Sequence, residues 1–233
     1  MKYTLIATGY NCEKYAEECI QSVINQTHKD WELFVYDDGS TDSTFSIVNK
    51  YSSQNIKVIR NYINVGALKG RYDIIHNYAS GDVVCLLGLD DYLKPNALEI
   101  LETYYKDEEV LMTWGSWEDQ RGNQFITENY SDDVWESKNF RRSSWKATAL
   151  NTFKFEMIKK VDKYYLLKDN KFMTNCTDLA YSFPCLEMIK KENARVVKES
   201  IYVYRIHKNS TLRRFGIKDK TENREYLKNM KLL

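Results

Sequence analysis

The sequence predicts an α/β protein with a doubly wound, mostly parallel central sheet and a smaller β/α extension in its second half. Within the first 105 of its 233 residues, short apolar runs alternate four times with segments whose apolar residues recur at helical spacing. Four strand–helix units in succession are typical of a parallel sheet covered by helices on both faces. After Leu111 this alternation stops, and the mixed elements that follow predict the extension.

Each predicted element of the first half is one apolar run or one periodic segment. The strands are YTLIAT, WELFVYD, KVIRN and DVVCLLG. The helices lie at 13–25, 41–51, 68–78 and 95–105, and the last has Pro95 in its first turn, where a missing N–H costs no helical hydrogen bond. In the second half, MTWGSWEDQRGNQF predicts strand, turn and strand, 153–161 and 177–191 predict helices, and ESIYVYRIH predicts a strand.

Composition excludes several classes of protein. The formal net charge is +1, so no overall positive field points to nucleic acid as a partner. The five cysteines have no CxxC spacing, which argues against a zinc site or a disulfide framework and favours a reducing compartment. MKYTLIATGY contains no secretory apolar region, and no apolar stretch is long enough to span a bilayer. We therefore expect a cytoplasmic location.

Polar and acidic side chains follow three of the predicted strands. Asp37 and Asp38 end the second strand, and Asp90 and Asp91 follow the fourth. The first strand ends in Thr8, Gly9, Tyr10 and Asn11. By itself, DDGS fits a capped turn and LDDYLKP fits an acidic first turn of a helix. Neither alternative predicts that these residues meet at one edge of the sheet, where open α/β sheets bind ligands. We therefore expect a ligand site there.

The order of these motifs resembles glycosyltransferase family 2 with the GT-A fold. The similar segments are GYNCEKYAEECIQSVINQTHKDWELFVYDDGSTDST, NVGALKGR, ASGDVVCLLGLDD and KP, between about Lys2 and Glu102. A weaker similarity continues through TFKFEMIKKV, TDLAYSFPCLEM and VYRIHKNS. The resemblance implies a GT-A-type sheet and an inverting glycosyltransferase that uses a nucleotide-diphosphate sugar, first of all a UDP-sugar, with a dTDP-sugar as the alternative.

The resemblance also implies a nucleotide site. It assigns the base to Thr8, Tyr10 and Asp37, since a carboxylate can accept a hydrogen bond from the N3–H of uracil and a tyrosine ring can stack on it. It places Arg71 toward the diphosphate, although an arginine in a helix is equally often only solvated. The other expected nucleotide-binding residues are Gly9, Asn11, Asp38, Asn64 and Asp90.

The metal motif of the family, DxD, is incomplete here. Gly88 stands where the first aspartate is usual, and Asp90 and Asp91 remain. Mn²⁺ or Mg²⁺ takes hard oxygen ligands and accepts part of its set from diphosphate and water, so we expect a weakened metal site rather than none. The similarity suggests His207 as a third ligand, although a lone histidine is more often a surface or packing residue. The same caution holds for Arg205.

Asp178 matches the catalytic acid position of the family. An inverting transfer needs a general base that deprotonates the acceptor hydroxyl, and a metal that neutralises the departing diphosphate. In isolation, a residue such as Asp178 or Thr177 at the start of a helix more often only caps that helix. Glu187 is a second candidate base, but its spacing directs it to another face of the helix.

We expect one domain over 1–233, with a nucleotide-sugar-binding half at 1–111, an acceptor and catalytic half at 112–212 and a tail at 213–233. The expected acceptor is a hydroxyl of a glycan, glycolipid or glycoprotein, as in polysaccharide biosynthesis. The segment SKNFRRSSWKATALNTF could face it, although packing explains tryptophans as often. One alternative is a sugar nucleotidyltransferase. Such an enzyme needs a glycine- and lysine-rich phosphate loop near the N-terminus, and the segment IATGYNCEKYAEE does not resemble one. The other alternative is a non-catalytic nucleotide- or glycan-binding module.

Basic and apolar residues are interleaved in the tail RRFGIKDKTENREYLKNMKLL. This pattern suggests weak, salt-sensitive association with an anionic membrane surface. The alternative is a terminal helix that docks on its own domain or leads into another one.

Overall fold

The computed structural model describes residues 1–207 and 211–232, with the side chains of 211–217 and 219 outside the description. Strands and helices alternate along the first half of the chain. The strands are β1 (Tyr3–Gly9), β2 (Trp31–Asp38), β3 (Ile56–Asn61), β4 (Val83–Gly88), β5 (Tyr92–Leu93), β6 (Met112–Asp119), β7 (Gln124–Phe125), β8 (Asn151–Lys154), β9 (Leu167–Lys168), β10 (Lys171–Phe172) and β11 (Ala194–Tyr204). The α-helices are α1 (Ala16–Ile24), α2 (Thr44–Asn49), α3 (Ala67–Asn77), α4 (Ala97–Tyr105), α5 (Asp132–Ser137), α6 (Phe155–Ile158), α7 (Thr177–Met188) and α8 (Thr211–Asn229).

The central sheet has the strand order β3-β2-β1-β4-β8-β6-β11-β5, and β7 pairs with β6. Strands β3, β2, β1 and β4 are parallel, and β11 is parallel to β6. Strand β8 is antiparallel to both of its neighbours, β4 and β6. The predicted mostly parallel α/β sheet is therefore confirmed, and the second half extends it with mixed strands.

Side chains alternate between two cores on the two faces of the sheet. In β1, Leu5 and Ala7 pack with residues of α1 and α4, and Ile6 packs on the opposite face with residues of α3 and α7. This alternation follows from the two-residue period of a strand, and burial on both faces explains why YTLIAT reads as a continuous apolar run. Helices thus cover both faces and leave the carboxyl ends of the strands accessible.

The predicted helix at 153–161 is wrong at its start. Residues 151–154 form β8 between β4 and β6, and only Phe155–Ile158 is helical. Thr152 and Phe153 are fully buried, and Tyr105 and Thr113 place hydroxyls against the Thr152 hydroxyl at 2.8 and 2.6 Å. The periodicity of a short apolar run does not distinguish a strand from a helix. Here residues 151–154 form a strand because they pair with both β4 and β6 in the sheet.

The tail docks on the second half of the protein through α8. Asn223, Leu227 and Met230 are buried, and the Asn223 amide donates to the Asn175 side chain at 3.3 Å. This agrees with the alternative of a helix that packs on its own chain. The side chains of Arg213, Arg214, Phe215 and Ile217 lie outside the described residues. Among the helices that the structure describes, none combines the length and apolar character needed to cross a bilayer.

A buried ion pair connects the segment around Arg141 to α7 and α8. Arg141, in a short 3₁₀ turn, binds both carboxylate oxygens of Glu187 on α7, with one contact of 2.8 Å, and both side chains are almost fully buried. Arg141 also donates to the carbonyl oxygen of Leu227 in α8 at 2.8 Å. Glu187 is therefore engaged in the core, which argues against its role as the second candidate base.

Candidate active site

A cavity of about 360 Å³ lies beyond the carboxyl ends of β1, β2 and β4, between them and the start of α7. Most of the predicted site residues line it. The predicted residues that line it are Thr8, Gly9, Tyr10, Asp38, Arg71, Asp90, Asp91 and Asp178. The predicted residues that do not are Asn11, Asp37, Asn64 and His207.

Asp38, rather than Asp37, reaches the cavity wall. Asp37 is fully buried, accepts from the Ser40 backbone N–H at 3.2 Å and lies 3.4 Å from the Nε of Arg60. Neighbouring residues of a strand point to opposite faces, so the two carboxylates cannot serve the same site. The sequence prediction that Asp37 binds the base is not tested here, but the geometry favours Asp38 for a contact with a ligand.

Asp38 also orders the loop that follows β3. Its carboxylate accepts from the backbone N–H groups of Val65 and Gly66 at 3.1 and 2.7 Å and from the Asn64 amide at 2.9 Å. Gly66 has a φ of 95°, and an added Cβ would meet the Thr174 backbone at 3.0 Å, so only glycine fits. Asn64 therefore supports Asp38 from behind the cavity wall.

Asn11 joins two loops rather than facing the cavity. Its side-chain oxygen accepts from the Thr41 backbone N–H at 2.9 Å, and its own backbone N–H donates to the Ser40 hydroxyl at 2.9 Å. It also has a positive φ of 55°, which asparagine adopts more readily than most residues. These contacts fix the loop after β1, which carries Tyr10, against the turn after β2.

Arg71 and Asp178 meet at the start of α7. Arg71, on α3, is buried and donates to the Thr177 hydroxyl at 2.9 Å, while its Nε has no hydrogen-bond partner among the described residues. Asp178 lies in the first turn of α7 on the cavity wall. Burial raises the pKa of Asp178, an effect that the positive charges of Arg71 and Lys220 partly offset. A carboxylate with a raised pKa is a better proton acceptor than an ordinary surface aspartate.

Asp90 and Asp91 converge above Gly88. A Cβ added to Gly88 would lie 2.7 Å from Oδ1 of Asp90 and 2.8 Å from Oδ2 of Asp91. Asp91 is buried, receives the Tyr202 hydroxyl on one oxygen and accepts from the Arg205 backbone N–H at 2.8 Å on the other. Burial and the charge of Asp90 raise the pKa of Asp91. Two close carboxylates repel each other, and a cation relieves that repulsion.

This pair of carboxylates fits a hard divalent cation that would take its remaining ligands from a diphosphate and from water. Carboxylate oxygens are the donors that Mg²⁺ and Mn²⁺ prefer. Among the described residues, no group of three or more His, Cys, Asp or Glu side chains is arranged to hold a metal ion. A cation at Asp90 and Asp91 would therefore take its other ligands from outside these side chains.

His207 and Arg205 lie next to this pair without lining the cavity. The Nε2 of His207 is 2.9 Å from Oδ2 of Asp90, and its ring lies 4.7 Å from the ring of Tyr15. This contact places His207 where it can orient Asp90, and its role as a direct metal ligand stays a prediction. The Arg205 guanidinium pairs with Glu18 and lies over Tyr15 and Tyr92.

Several cavity residues were not identified individually from the sequence. Trp145 lies within the segment expected to face an acceptor and is on the wall, whereas Arg141 of that segment is in the core. Tyr202 and Tyr204 alternate along β11 and both line the cavity, a pattern that the two-residue period of a strand could have suggested. Lys220 and Arg224 on α8 also line it, and no motif marks them.

Gly88 offers a direct prediction about the incomplete DxD motif. For the metal-dependent glycosyltransferase that the sequence predicts, we expect Gly88→Asp to lower Mn²⁺-stimulated donor hydrolysis at least tenfold, because its side chain would enter the space of Asp90 and Asp91 and add a third negative charge. Gly88→Ala, which adds the Cβ without the charge, should lose less. Initial rates across a Mn²⁺ titration measure both. Higher activity in Gly88→Asp would contradict the view that this site is built around two carboxylates.

Comparison with known proteins identifies the family to which this chain belongs. The model of the family described as Glycosyl transferase family 2 matches residues 4–165. A UDP-Glc:alpha-D-GlcNAc-diphosphoundecaprenol beta-1,3-glucosyltransferase of Escherichia coli is 29% identical over 185 residues, which cover 74% of this chain and 73% of that protein. The chain spans only 10% to 36% of the length of three other curated relatives that it matches.

Two solved structures share the fold. TarS 1–349 of S. aureus in complex with UDP has a TM-score of 0.67 at 19% identity, covering 96% of this chain and 63% of that chain. The mannosyltransferase PcManGT of Pyrobaculum calidifontis, in complex with GDP-Man and Mn²⁺, has a TM-score of 0.62 at 16% identity, covering 100% of this chain and 66% of that chain. With the family model matching more than half of its residues and this fold beneath them, the chain belongs to glycosyl transferase family 2.

Proposed function

We propose that this protein is an inverting glycosyltransferase that moves a sugar from a UDP-sugar to a hydroxyl of a glycan or lipid-linked acceptor. The observation that carries the proposal is the shared cavity of Asp178, Arg71, Asp90 and Asp91. It combines a half-buried proton acceptor, a buried cation and a carboxylate pair suited to a divalent metal, which are the groups that an inverting transfer from a diphosphate requires.

The nucleotide would bind where β1 and β2 end. Thr8 and Tyr10 contribute a hydroxyl and an aromatic ring to the cavity, and Asp38 contributes a carboxylate. In this assignment Asp38 takes the base-recognition role that the sequence suggested for Asp37. Arg71 would face the diphosphate, because its Nε is buried, has no hydrogen-bond partner in the described part of the chain, and would be satisfied by an anionic ligand.

Asp90 and Asp91 would hold Mn²⁺ or Mg²⁺, which supplies positive charge to the leaving diphosphate. Asp178 would accept the proton of the acceptor hydroxyl as its oxygen attacks the anomeric carbon from the face opposite the diphosphate. The bond between that carbon and the phosphate oxygen breaks, and UDP leaves with the electron pair. Trp145 offers an aromatic face on which a sugar of the acceptor can stack.

The relatives support this choice of donor and reaction. One is a transferase that uses UDP-Glc, and one solved structure contains UDP. Family membership favours sugar transfer over the nucleotidyltransferase alternative. A non-catalytic binding module remains the second candidate, because Gly88 replaces an acid of the metal motif.

The test is a hydrolysis screen of UDP-, dTDP- and GDP-sugars with Mn²⁺ or Mg²⁺, in which released nucleoside diphosphate is measured. We expect metal-dependent release of UDP from at least one UDP-sugar. UDP binding by calorimetry without any turnover would support the binding module instead, and release of diphosphate from a sugar phosphate and UTP would support nucleotidyl transfer.

The metal assignment leads to a separate prediction. We expect Asp90→Ala to weaken UDP binding in Mn²⁺ by at least tenfold and to leave UDP binding in EDTA nearly unchanged, because only the metal-bridged contact is lost. Calorimetry in both buffers measures this without turnover. The matched control is Asp133→Asn, an exposed carboxylate on α5 outside the cavity. Equal Mn²⁺ enhancement in wild type and Asp90→Ala would remove Asp90 from the metal site.

A further inference from the structure

The helix α8 brings two positive charges to the active-site cavity from the second half of the protein. Lys220 and Arg224 both line the cavity and lie one helical turn apart. Neither side chain forms an ion pair or hydrogen bond with a residue in the described part of the chain. The proposed reaction gives them no role, since Arg71 and the metal already serve the donor diphosphate.

Other lysines on the same helix behave differently. Lys218, which is 91% exposed, lies 3.9 Å from Glu222, and Lys228 contacts Glu225 at 2.5 Å. Both lysines therefore have an acidic ion-pair partner within the helix, whereas no ion pair is formed by Lys220 or Arg224 among the described residues. This distribution leaves a charge of about +2 directed at the cavity.

Contacts of α8 place this pair beside the start of α7, the helix that carries Asp178. The Cys176 thiol donates to the Lys220 carbonyl oxygen at 3.5 Å, and the Asn223 amide donates to Asn175, so α8 lies against the two residues that precede α7. Burial raises the pKa of Asp178 and of Tyr130, and the positive charges of Lys220 and Arg224 respectively offset a small part of that rise. The base-binding end, at Thr8, Tyr10 and Asp38, is formed by other elements.

We propose that Lys220 and Arg224 bind a phosphate group of the acceptor, next to the sugar that receives the transferred residue. Two adjacent cations match a group with a charge near −2, as a phosphate monoester or a diphosphate diester carries, better than a single carboxylate. Arginine adds a planar fork that binds phosphate through two hydrogen bonds. This inference rests on the proposed function and narrows its acceptor to phosphate-bearing sugars.

The test separates the acceptor phosphate from the donor diphosphate. Enzyme saturated with UDP and Mn²⁺ is titrated by calorimetry with glucose 1-phosphate, glucuronate and glucose. We expect binding of glucose 1-phosphate, at least tenfold weaker binding of glucuronate and no measurable binding of glucose. In Lys220→Gln/Arg224→Gln the affinity for glucose 1-phosphate should fall at least tenfold. The control Lys218→Gln removes one charge outside the cavity and should bind as wild type does.

Each other outcome has a definite meaning. Absence of phosphate binding to the UDP–Mn²⁺ complex, equal affinity in the double variant, or glucuronate binding as tightly as glucose 1-phosphate would overturn the inference. An equal loss of UDP affinity in the double variant would assign the cations to the donor and also overturn it. Failure of wild type to bind UDP would instead refute the proposed function. Retained phosphate binding in Lys220→Arg/Arg224→Lys would support a role for charge.

A further titration with a glucose diphosphate alkyl ester distinguishes the two sources of this group. Tighter binding than glucose 1-phosphate would support a lipid-linked acceptor, and equal binding would support a free sugar phosphate. Both results support a phosphate site.

Discussion

Replacing Asp178 with asparagine is expected to lower kcat/KM for sugar transfer by about 10³-fold, because general-base catalysis contributes roughly 10²- to 10⁴-fold. Asparagine keeps the shape of the side chain but cannot accept the proton of the acceptor hydroxyl. Asp178 lies on the cavity wall beside Thr177, the residue that Arg71 contacts, so the nucleotide end of the site should remain intact. UDP affinity measured by calorimetry should therefore change less than threefold. Full transfer activity in this variant would exclude Asp178 as the base.

The pH profile gives a second measurement on the same residue. The base acts only when ionised, so activity should be full above the pKa of Asp178 and fall as the pH drops through it. An ordinary aspartate has a pKa of about 4. Because burial raises the pKa of Asp178, the acidic limb of the kcat/KM profile should lie at a higher pH than that. In Asp178→Asn the residual activity should lose this limb. An unchanged limb would assign it to another group.

The position of Asp178 could be predicted because its motif, TDLAYSFPCLEM, resembles that of the family, and the strand-end acids could be predicted from the βα alternation. That Asp38 rather than Asp37 lines the cavity could not be predicted. Both acids end the same strand, and a shift of one residue exchanges the buried face for the cavity face. Only the three-dimensional contacts, Arg60 for Asp37 and the loop after β3 for Asp38, separate them.

The cavity residues near the end of the sequence were not predicted, for a different reason. Lys220 and Arg224 lie in a segment whose mixed basic and apolar pattern fits a membrane surface, a docked helix or a linker to another domain equally well. Its role depends on long-range packing, such as the contact of Asn223 with Asn175, which local periodicity does not encode. Similarly, β8 is a strand because it pairs with β4 and β6, and these long-range contacts are not encoded in its local sequence.

The largest expected effect on stability comes from the buried pair of Arg141 and Glu187. We expect Glu187→Ala to lower the free energy of unfolding by about 3–5 kcal/mol, since removing one partner leaves an uncompensated charge in the core. In that variant Arg141, which is 2% exposed, would keep, among the residues that the structure describes, only its hydrogen bond to the Leu227 carbonyl oxygen and the nearby rings of Tyr165 and Phe183. Urea unfolding followed by tryptophan fluorescence measures the change.

A double variant separates the charge from the packing. Arg141→Met/Glu187→Leu fills similar space without burying a charge, so it should lose clearly less stability than Glu187→Ala. It also lacks the hydrogen bond to Leu227, which joins the core to α8. We therefore expect the double variant to fold but to bind glucose 1-phosphate, in the presence of UDP and Mn²⁺, more weakly than wild type, because α8 carries Lys220 and Arg224 to the cavity. A loss in the double variant equal to that in Glu187→Ala would show that the pair acts through packing rather than through compensation of charge.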